Sequence, residues 1–168
     1  MKRLFLLLSL GLLAGCNIYV TPTPDLRVLS ANFATNYRAA DGTSVICDNR
    51  ATTLLYRFRY EGQLSSWTSY LEGQTLDEVK GERTFTPDSE SVVAYDEQGY
   101  EVQYVMSPNF APYENVGADA TLTPQAINVV PVPQPTPIGA TKLYLTLEGA
   151  GQEASFMSPD IPVIINCP

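Results

Sequence analysis

Thr53-Leu54-Leu55-Tyr56-Arg57-Phe58-Arg59-Tyr60 decides the fold class. Leu54, Tyr56, Phe58 and Tyr60 fall on one side of an alternating pattern, and Arg57 and Arg59 fall on the other. A period of two is that of a strand with one face on a core and one in water. Outward from it, Glu61-Gly62-Gln63 turns the chain into a second strand, Leu64 to Leu71, which holds Trp67. Ser91 to Tyr95, the turn Asp96-Glu97-Gln98-Gly99 and Tyr100 to Met106 read as a hairpin, with Gly99 supplying special turn angles. On its return arm Tyr100, Val102, Tyr104 and Met106 share a face. Lys142 to Leu147 alternates again, and Gly149-Ala150-Gly151 turns it into Ala154 to Met157 and then Ile161 to Asn166. Pro159 and Pro162 place that last stretch at an edge or a bulge, because proline donates nothing to a ladder.

Leu26 to Phe33, Ser44 to Asp48 and Ala126 to Val130 add further strands. Three segments break the pattern. Leu76 to Lys80, between Gly73 and Gly81, reads as one helical turn. Pro108 to Pro124 has no period, and Pro131 to Pro137 reads as a polyproline-like crossover between strands. Roughly seven to nine short strands separated by turn signals predict an all-β chain forming a single β-sandwich over residues 25–168. With Trp67 in a middle strand and a closing hairpin at Leu143-Tyr144-Leu145, the pattern resembles bacterial immunoglobulin-like or fibronectin-III-like domains. An immunoglobulin-like topology is what that resemblance implies.

The first residues belong to a different kind of segment. Met1-Lys2-Arg3 is basic, and Leu4 to Leu13 contains seven leucines and Phe5, interrupted only by Ser9 and Gly11. At about 1.5 Å per residue the run spans half of a ~30 Å hydrocarbon core, so it has the build of a secretory signal. Leu13-Ala14-Gly15-Cys16 resembles the lipobox of bacterial lipoproteins. The resemblance implies a diacylglycerol on the Cys16 thiol, cleavage before that residue and a further acyl chain, such as palmitate, on the new amine. Residues 1–15 are then the signal peptide, and residues 16–24 form the lipidated terminus and tether. Two or more acyl chains anchor stably where one does not. Asn17 is not the aspartate that marks inner-membrane retention in some diderm bacteria, which points to the outer membrane. Val20-Thr21-Pro22-Thr23-Pro24 favours extended backbone and suits a short stalk.

Composition excludes several function classes. Without the leader's Lys2 and Arg3, 8 basic residues face 18 acidic ones, so nucleic acid is not an expected partner and close docking on anionic lipid is disfavoured. The chain has no histidine, which removes Ser–His and Cys–His catalysis and His-ligated metals. Only Lys80 and Lys142 remain as lysines after the leader, and both read as exposed. Asp77-Glu78, Asp88 with Glu90, and Asp96-Glu97 are the local acid clusters, and solvated loops account for all three. No catalytic, cofactor-binding or metal-binding residue is expected. With Cys16 committed to lipid, Cys47 and Cys167 are an even pair in an exported chain and read as a disulfide. Two separate buried thiols or a partner-linked cysteine are the alternatives.

The aromatic residues are the remaining clue. Tyr56, Phe58 and Tyr60 alternate as an inner face does, whereas Phe110 and Tyr113 lie in an aperiodic stretch and are the candidate contact residues. The expected function is that of a lipid-anchored binding or structural module of a bacterial cell envelope, touching a protein or polysaccharide. The alternatives are a carrier, which requires an apolar cavity of roughly 300 Å³ or more, and a carboxylate-dependent hydrolase, which requires two converging acids.

Overall fold

The alternating stretch forms β4 (Thr52–Glu61), with Leu54, Tyr56, Phe58 and Tyr60 buried and Arg57 and Arg59 exposed. The computed structural model describes residues 24–73, 79–109, 127–133 and 136–168, which form twelve strands, more than the seven to nine expected. The others are β1 (Arg27–Thr35), β2 (Tyr37–Ala39), β3 (Ser44–Cys47), β5 (Ser66–Gly73), β6 (Val79–Phe85), β7 (Val92–Asp96) and β8 (Gly99–Met106). The chain ends with β9 (Val130–Val132), β10 (Thr136–Gly149), β11 (Gln152–Met157) and β12 (Ile161–Ile165).

These strands make two sheets packed as a sandwich. One has the order β1-β4-β8-β7; the other runs β6-β5-β10-β12-β3-β2-β9, with β11 also paired to β10. Lettered as in an immunoglobulin domain, β1, β4, β8 and β7 take places A, B, E and D, and β6, β5, β10 and β12 take C′, C, F and G. The 14-residue β10 organises the second sheet: its first part pairs with β12 and its last part with β11, on the same flank. Ser158 makes the step between them. Its backbone N–H donates to the Leu143 carbonyl (2.9 Å), its Oγ accepts from the Leu143 N–H (2.9 Å), and the hydroxyl donates to the Pro159 carbonyl (2.8 Å).

The inner faces meet in a chain of rings. Trp67 is fully buried on β5, edge-on to Phe58 with centroids 5.1 Å apart and stacked with Tyr100 (5.1 Å) and Phe85 (5.8 Å). Its indole N–H donates to the Tyr56 hydroxyl oxygen (3.1 Å), and that hydroxyl donates to Ser69 Oγ (3.1 Å). The polar handles of the buried rings thus satisfy one another. A second, smaller core of Tyr37, Val45, Val132, Ile164 and the two cysteines lies under β2, β3 and β9.

Cys47 and Cys167 are bonded, with Cα atoms 6.2 Å apart. The bond fastens β3 to the end of the chain just beyond β12, so it joins an early strand to the last one. The pairing it supports is short and parallel, Val163 opposite Ile46 and Ile164 opposite Cys47.

Several local expectations are corrected. The stretch with Pro159 and Pro162 is not at an edge, since β12 is interior, between β10 and β3, but its ladder with β10 does carry a bulge, at Ile138 of β10. Pro162 is tolerated because the ladder with β3 starts one residue later, at Val163. Val79 and Lys80 open β6 and are not part of a helical turn, while Leu76 to Glu78 lie outside the described residues. Of Ala126 to Val130 only Val130 is in a strand; Ala126 lies outside the described residues. The crossover is partly ladder, since Val130–Val132 pairs in parallel with β2 and Thr136 and Pro137 begin β10. Gly99 is not the residue with special angles in its turn, as its φ is not positive. Asp96 shapes that turn, its Oδ1 accepting the Gln98 N–H at 2.9 Å.

Candidate interaction surfaces

Alternation in both sheets turns one set of side chains inward and leaves two outer faces, which differ in chemistry. On the β1-β4-β8-β7 sheet the arginines are matched across strands. Arg57 pairs with Glu101, its direct cross-strand neighbour, Arg59 with Asp96 (2.9 Å), and Arg27 with Glu61. Exposed pairs of this kind are each worth less than about 1 kcal/mol. Their effect is to leave that face self-satisfied.

The outer face of the second sheet is built differently. Tyr70 on β5 and Tyr144 on β10 are register partners, and their rings stack with centroids 4.9 Å apart and planes 6° from parallel. Next to Tyr144 across the ladder is Met157, half exposed at 50%. One row away, Thr84, Thr68, Thr146 and Ser155 are paired in sequence across β6, β5, β10 and β11, and Thr68 and Thr84 share a hydrogen bond of 2.9 Å. At that spacing the two tyrosine rings cover each other's inner faces. Both tyrosines are partly buried.

The free edges of the sheets are blunted. β1 carries an extra residue at Leu29, β7 at Tyr95, and β6 across Gly81 and Glu82, each breaking the register with its neighbour. At the other end β9 contains Pro131 and is followed by Pro133. On β6, Lys80 and Arg83 take register positions opposite Leu71 and Ser69, the core side of the strand. Bulges, prolines and inward-side charges all discourage addition of a further strand. Contact by edge pairing is therefore disfavoured at each of these strands.

Of the residues singled out from the sequence, the structure brings together Cys47 and Cys167. Cys16, Phe110 and Tyr113 lie outside the described residues, as do Asp77 and Glu78. Asp96 is committed to Arg59 and to its own turn, while Asp88 and Glu90 sit in the loop joining β6 to β7. Among the described residues no three Cys, Asp or Glu side chains converge as metal ligands would. Lys142 is not freely exposed as expected: its side chain is 23% exposed and faces Asp160 at 3.6 Å. Lys80 is half buried. The Tyr70–Tyr144 pair was missed by the sequence reading. Their outward positions were legible from Leu71 and Leu143 beside them, but their register was not.

Burial raises the Tyr56 hydroxyl above its ordinary pKa, with Ser69 and Trp67 opposing only in part. Tyr104 is raised by burial and by the charge Tyr56 would bear, with Arg83 opposing. Both groups are neutral in folded and unfolded chains below about pH 10. Above that the unfolded chain releases these protons first, so the stability they contribute is full below pH 10 and is lost as pH rises. Denaturant unfolding from pH 8 to 11.5 is expected to show this decline, with a shallower slope in Tyr56→Phe; stability unchanged to pH 11.5 would contradict it.

No protein-family model matches this chain, and no curated protein is similar to it, so the surfaces described above are read from their own residues.

Proposed function

We propose that this chain is a lipid-anchored, extracytoplasmic binding or structural module of a bacterial cell envelope, in the outer membrane where there are two. The observation that carries it is the box Leu13-Ala14-Gly15-Cys16 behind a basic, leucine-rich leader. Acyl chains on Cys16 hold the mature chain to a bilayer, and a short Pro/Thr segment joins that anchor to a disulfide-stapled sandwich. The disulfide fits an oxidising compartment.

The module acts by contact. Its inner faces are joined ring to ring from Tyr60 through Tyr100 and Trp67 to Phe85, which favours a filled core over a carrier's apolar cavity. Among the described residues Glu61, Glu101 and Asp96 are paired with arginines, and the cross-strand neighbours Glu148 and Glu153 are exposed on the outer face and not set in a cleft, which does not favour a hydrolase. The module's partner is a protein or a polysaccharide.

Replacing Cys16 by serine is the direct test. The variant is expected to lose processing and its firm membrane attachment; a processed variant that resists a salt wash would overturn the proposal. Crosslinking in intact envelopes should then recover a protein or polysaccharide partner. Stoichiometric co-purification of a lipid with no partner would favour the carrier.

A further inference from the structure

Where the tether leaves the sandwich fixes which end of the domain can be presented. Leu26, the residue before β1, is 6% exposed, and its backbone N–H donates to Gln152 Oε1 at 2.7 Å. Gln152 Nε2 donates in turn to Asp25 Oδ1 at 3.0 Å. The backbone of Leu26 crosses Gly62 so closely that a Cβ there would lie 2.7 Å from the Leu26 Cα, and Gly62 has φ +100°. Beside it, a Cβ on Gly149 would overlap the Gln63 carbonyl oxygen at 1.8 Å. The chain therefore leaves the fold at a clamped point among three turns: β4–β5, β10–β11 and, through the Tyr60 N–H to Gln98 carbonyl bond (3.0 Å), β7–β8.

That end is acidic. Asp25, Glu61, Asp96, Glu97, Glu148 and Glu153 surround it, and among the described residues only Glu61 and Asp96 are matched there, by Arg27 and Arg59. Glu148 and Glu153 are direct cross-strand neighbours. The opposite end holds the Asp48–Arg50 turn and the disulfide, with the Arg50 Nε donating to the carbonyl of Pro168 (3.4 Å).

Nine residues separate Cys16 from Asp25, a reach of at most about 32 Å. β4 alone, at 10 residues, spans about 33 Å from one end of the sandwich to the other. We infer that the acidic end of the sandwich faces the bilayer without docking on it, and that the disulfide-stapled end points away from the membrane. This rests on the lipid anchor at Cys16. Like charge keeps the acidic end off anionic headgroups within a Debye length of about 8 Å.

The test uses the full lipidated chain, purified from membranes and reconstituted in vesicles, with a donor dye on Gln63→Cys or on Ala51→Cys and acceptor-labelled lipid. Gln63 is exposed at the clamped end, and Ala51 is exposed just before β4, at the stapled end. On neutral phosphatidylcholine, transfer from the Gln63 position is expected to exceed that from Ala51 by about twofold or more, given ~30 Å of strand between them. On vesicles with anionic phosphatidylglycerol at low salt, transfer from Gln63 should fall while the order holds. Equal or reversed transfer on the neutral vesicles overturns the orientation, and a rise at Gln63 on the anionic ones overturns the stand-off. Failure of the labelled chain to float with vesicles strikes at the Cys16 anchor itself, an outcome distinct from the other two.

Discussion

Loss of the Cys47–Cys167 bond is expected to lower the unfolding free energy by about 4–5 kcal/mol, the chain-entropy value for a loop of this size. The bond spans 120 residues of sequence, so the unfolded chain regains much freedom when it is cut. The structure adds a local consequence. β12 and β3 share only two register pairs, continued by the Asp48 N–H to Ile164 carbonyl bond at 2.8 Å. The two sulfurs also complete the small core with Tyr37, Val45, Val132 and Ile164. Reduction should therefore loosen β2, β3, β9 and the end of β12 before the rest. Denaturant unfolding of the oxidised chain and of a Cys47→Ser/Cys167→Ser variant measures the first effect, and amide hydrogen exchange measures the second. A loss under about 1 kcal/mol, or protection lost evenly over both sheets, would contradict this account.

Trp67→Ala should cost about 3–5 kcal/mol, at the upper range of core truncations. Trp67 is 0% exposed and touches rings from both sheets: Phe58 and Tyr100 on one side and Phe85 on its own. Its removal opens a void between layers that cannot collapse without moving the strands. It also takes away the donor to Tyr56, whose hydroxyl is then bonded only to Ser69. Trp67→Phe keeps a ring in place but loses the indole N–H and some volume, and should cost about 1–3 kcal/mol. Thermal and denaturant unfolding of the two variants give the comparison. Equal costs, or an alanine variant within about 1 kcal/mol of the parent chain, would show that the ring chain is not what joins the sheets.

Parity made the long strands readable. In β4, β5, β8 and β10 the buried residues fall on every second position, because each such strand has one face on the core. β6 was not readable for the converse reason: its bulge at Gly81 and Glu82 resets the alternation, so Lys80, Arg83 and Phe85 share the core side despite uneven spacing. β2, three residues long, contains too little of a period to recognise. The cysteine pair could be read from number and compartment alone, whereas the Tyr70–Tyr144 stack required a register that no local pattern encodes.

By itself the sequence determined the all-β class and the buried face of each long strand, since each depends on neighbours a few positions apart, and it offered Cys47 and Cys167 as a pair by number. Only the tertiary structure decided that the proline-bearing β12 is interior, that β3 runs parallel to it, and that the chain leaves the fold clamped against Gly62 and Gln152 at its acidic end. Those features arise from contacts between residues up to 127 positions apart, and they exist only once two sheets have closed on a common core.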